Sequence, residues 1–140
     1  MNDETAKAIF ADMLSSRLFS QRIFNLQRQG RAGTNAPIDG SEAIVVGAAY
    51  ALDPVIDWIL PQYRELVGLE RFGSDVLDRY VLYCIGHPDG GHIPAPTRVW
   101  PPQISLATQV PHAVGLGWGM QRQGEPGCVL VYLGDGSTSE

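Results

Sequence analysis

The 140-residue sequence has no run of about 18 apolar residues, which excludes a membrane-spanning helix. Its first residues, Met-Asn-Asp-Glu-Thr, lack the basic-then-apolar order of a secretory signal, so a cytoplasmic protein is expected. Cysteine is scarce: Cys84 and Cys128 alone make no disulfide framework, and both lie in apolar stretches that read as small core positions. A basic footprint is also missing. Residues 32–140 hold five basic side chains against twelve acidic ones, which argues against a nucleic-acid partner. Residues 1–31 reverse the balance with five basic and three acidic, and Arg17, Arg22, Arg28 and Arg31 read either as a solvated helix face or as a docking surface. There is no internal repeat, no Gly-Lys-Ser/Thr phosphate loop and no dinucleotide fingerprint, whose third glycine is replaced by Ser139. His87, Asp89 and His92 lack the further ligand a zinc set needs and read as polar loop residues.

What is present is a globular composition, 44% hydrophobic and 18% charged, of a length that makes one domain or part of one. Residues 5–29 contain no Gly or Pro. They place Ile9, Phe10, Met13, Leu14, Leu18, Ile23 and Leu26 at near-helical spacing, which predicts one amphipathic helix capped by Gly30. A second helix is expected after Asp39, whose carboxylate is placed to cap the amides of Ser41 and Glu42, and Asp53-Pro54 stops it. Trp58-Ile-Leu60 reads as a strand end broken by Pro61, followed by a short helix through Arg71. Ser74 is expected to cap a helix over 75–85 that buries Val76, Leu77, Tyr80, Val81 and Cys84. The Gly/Pro-rich stretch 86–102 reads as a long loop. A last helix opens near Thr108 and Pro111, and its glycines 115, 117 and 119 imply a closely packed neighbour. Cys128-Val-Leu-Val-Tyr-Leu133 is apolar without alternation, the pattern of a parallel strand buried on both faces. The order of elements argues an α/β fold.

Ligands of open α/β sheets bind beyond the carboxyl ends of the strands. Gly134-Asp135-Gly136-Ser137 stands there, with flexible backbone for a phosphate and, in Asp135, a hard oxygen ligand for Mg²⁺. The same Asp-Gly pair also reads as a hairpin turn. Tyr63-Arg64 after the short strand reads either as a phosphate grip or as an Arg–carboxylate pair with Glu65 or Asp57. His112 at a helix start reads as a structural histidine or a general base.

Several stretches together resemble one family, the α-subunit of the E1 component of thiamine-diphosphate-dependent 2-oxo acid dehydrogenases of the pyruvate and branched-chain types. They are Leu26-Gln-Arg-Gln-Gly30-Arg, Gly40-Ser-Glu-Ala43, Pro61-Gln-Tyr63-Arg64-Glu65, Leu106-Ala-Thr108-Gln109-Val-Pro-His-Ala-Val-Gly115 and Tyr132-Leu-Gly134-Asp135-Gly136-Ser-Thr-Ser-Glu140. The resemblance implies the N-terminal part of a thiamine-diphosphate-binding fold, with a helical arm over 1–38 and an incomplete α/β core over 39–140 in which helices pack on a truncated parallel sheet. It implies that Tyr63 and Arg64 contact the cofactor's diphosphate, that Ile104 and Leu106 line its aminopyrimidine, that Asp135 is a Mg²⁺ ligand, and that Gly136 and Ser137 neighbour the diphosphate. Gln103, Ser105, Thr108 and Gln109 match a loop that holds a monovalent cation such as K⁺ in some members, although proline is usual where Ser105 stands. The family's later Asn-Asn pair and catalytic histidine find no counterpart up to Glu140. A fragment contributing to oxidative decarboxylation of a 2-oxo acid is therefore expected, inactive alone, with an E1 β-subunit, a second α-subunit and the lipoyl domain of E2 as partners. The alternative is a non-catalytic assembly module derived from that subunit.

Overall fold

A computed structural model describes residues 1–33, 35–92 and 95–139. Thr34 in the loop after the first helix, Ile93 and Pro94 in the Gly/Pro-rich stretch, and Glu140 of the last motif lie outside the described residues. The elements in order are α1 (Asp3–Arg28), α2 (Glu42–Ala51), β1 (Trp58–Leu60), 3₁₀ turns at Arg64–Gly68 and Glu70–Phe72, α3 (Val76–Cys84), a 3₁₀ turn at Pro88–Gly91, α4 (Gln109–Gln123), β2 (Val129–Val131) and a 3₁₀ turn at Gly136–Ser139.

Helix α1 begins where Asn2 accepts the Thr5 N–H at 2.8 Å, and it carries Asp3 and Glu4 in its first turn and Arg28 in its last, matching the helix dipole. Its buried face differs from the expected one. Phe10, Leu14 and Leu18 are exposed, whereas Ser16, Ser20 and Ile23 are buried. The two serines let the helix approach other backbone closely. Ser16 Oγ donates to the Val67 carbonyl at 3.2 Å, and Ser20 Oγ accepts the Ile38 N–H at 3.2 Å while donating to Asp39 at 3.0 Å.

That last bond overturns the expected cap of α2. Asp39 is taken by Ser20, and Glu42 reaches back instead, its Oε2 accepting the Gly40 N–H at 2.9 Å and its Oε1 accepting Arg17 Nε. The expected Ser74 cap of α3 is likewise absent: Asp75 occupies the cap position without a side-chain bond, although Val76, Leu77, Tyr80 and Cys84 are buried as the spacing predicts.

Strands β1 and β2 run parallel in the register Trp58↔Val129, Ile59↔Leu130 and Leu60↔Val131. The fold is α/β, as expected. On the other side of β1, Ile59 donates to the Arg98 carbonyl at 3.0 Å and accepts from Trp100 N at 2.8 Å, forming a parallel bridge to Val99. The stretch 86–102 is thus not all loop, because Arg98–Trp100 shields the sheet's other edge. This makes β1 the central strand, with Ile59 and Leu60 fully buried and Trp58 partly so. β2 is only half-buried, with Cys128 exposed and Leu133 45% exposed, so the expectation of burial on both faces, and of Cys128 in the core, does not hold. α4 packs on β2, where a Cβ built on Gly117 would meet Val129 Cγ2 at 3.7 Å, an ordinary contact, but nothing described lies within 4 Å of one built on Gly115 or Gly119, and Val114 and Trp118 face outward. The close neighbour those glycines imply is not found among the described residues.

The core gathers Ile23, Ile38, Val45, Ala49, Ile59, Leu66, Leu69, Phe72, Val76, Tyr80, Val99 and Tyr132 between α1, α2, α3 and the sheet. Asp57 fastens the strand entrances: one carboxylate oxygen accepts the Asp53 N–H and the other the Cys128 N–H, each at 2.7 Å. Burial works to raise the Asp57 carboxyl, yet these hydrogen bonds outweigh it and hold the group below its ordinary value. The Arg17 hydrogen bond does the same for Glu42. A carboxyl whose folded pKa lies below its unfolded one stabilises fully above the unfolded value and loses that contribution as pH falls. Thermal stability measured from pH 7 downward is therefore expected to hold until about pH 5 and then to decline through the carboxylate range. Glu42→Gln and Asp57→Asn should each make that decline shallower.

Candidate functional site

Both strands end in irregular segments that turn toward one another. After Leu60, Pro61 interrupts the strand, and the next two amides, of Gln62 and Tyr63, donate to Glu65 Oε2 at 3.1 and 3.2 Å. Glu65 is thereby committed to its own turn and Asp57 to the strand entrance. Arg64 has no carboxylate partner among the described residues. Its Nη2 donates to Tyr63 Oη at 3.2 Å and its guanidinium lies 5.3 Å from the Tyr63 ring centroid. The Arg–carboxylate reading of this pair is not what the structure shows.

After Val131, Tyr132 donates its N–H to the Leu60 carbonyl at 3.2 Å and its hydroxyl to the Val45 carbonyl at 3.1 Å. Burial pushes the Tyr132 phenol up, so it stays a neutral donor. The chain then coils. Ser137 N donates to the Gly134 carbonyl, and Thr138 donates to the Asp135 carbonyl through both N and Oγ1. A 3₁₀ turn, not a second strand, follows Asp135-Gly136, which removes the hairpin reading. The Asp135 carboxylate is exposed and makes no hydrogen bond or ion pair among the described residues.

Between the two strand exits lies a cleft of about 380 Å³, within the range of small-molecule sites. Tyr63, Arg64, Leu106, Asp135, Gly136 and Ser137, all singled out in the sequence, line it together. Ile104 sits one hollow further on, with Ala36, Tyr63 and Leu106. Lining residues without an individual signal in the sequence are Ser41 at the start of α2, Ile44, Val45 and Gln62. Gln62 stood inside a matching motif but carried no charge or glycine to mark it.

The residues of the expected cation loop have other partners in part. Thr108 Oγ1 donates to the Ser105 carbonyl at 2.8 Å, beside Ala107 at a left-handed φ of 63°. Gln103 donates its side chain to the Pro101 carbonyl at 3.1 Å and its N–H to the Gln62 carbonyl. Gln109, fully buried, donates Nε2 to the Tyr132 carbonyl at 2.6 Å and leaves Oε1 without a partner. His112 Nδ1–H donates to the Thr108 carbonyl at 2.7 Å beside Trp100, a structural arrangement. His87 caps its own turn by accepting the Asp89 N–H, and among the described residues no three His, Cys, Asp or Glu side chains cluster as a metal site.

The donor set of the cleft suits a metal-bound diphosphate. Among the described residues it offers a carboxylate without a partner for a hard cation, a guanidinium without an ion pair for phosphoryl oxygens, and glycine-flanked backbone at a turn. A family model described as dehydrogenase E1 component matches residues 11–140. Over all 140 residues the chain is 32% identical to the pyruvate dehydrogenase E1 component subunit alpha of Staphylococcus epidermidis and to that of Bacillus cereus, and 31% identical to that of Staphylococcus aureus. It spans 37% of the length of each of these relatives.

Proposed function

The chain belongs to the dehydrogenase E1 component family, and from that premise we propose that it contributes the α-subunit half of a thiamine diphosphate and Mg²⁺ site in a 2-oxo acid dehydrogenase E1 enzyme of the pyruvate dehydrogenase type. The observation that carries the reading is the meeting, at the adjacent exits of two parallel strands, of a guanidinium and a carboxylate that are each without an ion-pair partner among the described residues. Arg64 and the Tyr63 hydroxyl would bind the diphosphate. Asp135 would hold Mg²⁺, and Gly136 and Ser137 leave room at the turn for phosphoryl oxygens. Leu106 and Ile104 supply an apolar wall suited to an aromatic ring. When bound, thiamine diphosphate supplies the electron-accepting centre that decarboxylation of a 2-oxo acid requires, while the chain's own residues bind, orient and exclude water. The E1 β-subunit, a second α-subunit and the lipoyl domain of E2 are the partners this reading entails, with K⁺ as a further ion at the 103–109 loop.

The test is calorimetric titration of thiamine diphosphate into the assembled E1 enzyme at saturating Mg²⁺, followed by assay of acyl transfer from a 2-oxo acid to lipoyl. Arg64→Ala should weaken cofactor binding by about a hundredfold, the worth of one or two charge-assisted hydrogen bonds. Affinity equal to wild type would contradict the assignment. A second reading, a non-catalytic assembly module, draws on the outer face of α1, where Phe10, Leu14 and Leu18 are exposed. It requires that the assembled enzyme bind its cofactor without any contribution from Arg64 or Asp135.

A further inference from the structure

Gln62 is 5% exposed, lines the cleft, and buries an Nε2 amide with no hydrogen-bond partner among the described residues. Its other end faces Ser137 Oγ, itself on a buried residue, which makes a long contact of 3.5 Å to Gln62 Oε1 across the two strand exits. The backbone is held as well, because Gln62 N donates to Glu65 and its carbonyl accepts from Gln103 N. A buried donor without a partner is costly unless something binds it. The cleft it lines already presents Arg64 and Tyr63, groups that attract oxyanions.

We propose that the Gln62 carboxamide is an additional phosphoryl-binding group of this cleft, its Nε2–H donating to a diphosphate oxygen and its orientation set by Ser137 Oγ. The inference rests on the cofactor reading above but concerns a residue that reading does not use. A neutral donor here adds contact without adding charge. A carboxylate at position 62 would face the diphosphate with like charge.

Two probes, Mg²⁺–pyrophosphate and Mg²⁺–thiamine diphosphate, are titrated against the assembled E1 enzyme carrying Gln62→Met, and thermal unfolding is followed without ligand. Both probes should weaken by the same factor, about tenfold, while the unliganded protein unfolds close to the wild-type temperature, because losing the unpaired Nε2 donor offsets the acceptor that Ser137 Oγ gives up. Gln62→Glu should weaken both probes by at least about a hundredfold. Ser137→Ala should lose a smaller factor, and its effect should largely vanish in the Gln62→Met background. Wild-type affinity for both probes in Gln62→Met would overturn the inference and leave the cofactor reading standing. Failure of the wild-type enzyme to bind either probe would overturn both.

Discussion

Asp135→Asn is expected to lower turnover of the assembled E1 enzyme by about three orders of magnitude and to abolish the Mg²⁺ dependence of cofactor binding. The substitution keeps the size of the side chain and one oxygen but removes its charge. Mg²⁺ is held by one or two carboxylates together with phosphate oxygens, so losing a carboxylate removes much of the protein's share of the coordination. A metal that neutralises phosphate is worth several kcal/mol, and each 1.36 kcal/mol is tenfold in rate. The unliganded protein should be unaffected, because the Asp135 carboxylate is exposed and bonds to nothing among the described residues. The pairing of lost activity with unchanged unfolding temperature separates a ligand from a structural carboxylate. Activity within a few-fold of wild type would remove Asp135 from the metal site.

Gly90→Ala should have the largest effect on stability. A Cβ on Gly90 would lie 2.1 Å from Tyr83 N and 2.4 Å from Tyr83 Cα. Both are backbone atoms inside α3 and neither can swing aside. The Pro88–Gly91 turn must therefore lift from the helix, at a cost of about 3 kcal/mol or more. For a chain of this length that amounts to roughly 10 °C in the unfolding midpoint. The damage reaches the cleft, since α3 also packs on the 3₁₀ turn that begins at Arg64. Gly91→Ala is the control: its Cβ meets nothing within 4 Å, and the change should stay within about 0.5 kcal/mol. Equal midpoints for the two variants would show that the turn does not bear on α3.

The elements with strong local signals were readable from the sequence. The long first helix, the Trp58–Leu60 strand, the helix opening near Thr108 and the parallel strand after Cys128 all stand where periodicity and punctuation put them. What escaped were contests decided by distant partners. Asp39 is a plausible cap for α2, but its carboxylate is taken by Ser20, nineteen positions away on another helix, and the helix start carries no side-chain cap. The burial of Ser16 and Ser20 in place of Phe10, Leu14 and Leu18 follows from where the Val67 carbonyl and the Ile38 amide come to lie. Val99 joins β1 from inside a proline-rich stretch because one backbone bridge suffices there. At the cleft, the charged and glycine positions carried their own signal. Gln62 did not, since a neutral amide acquires meaning only once its burial and missing partner are seen.

The most direct test of the account is a crystal structure of the assembled enzyme with thiamine diphosphate and Mg²⁺. An Asp135 carboxylate oxygen is expected about 2.1 Å from the metal, with the Arg64 guanidinium on the diphosphate. A metal ion coordinated entirely by other residues, with Asp135 left in solvent and Arg64 turned away from the phosphates, would contradict it.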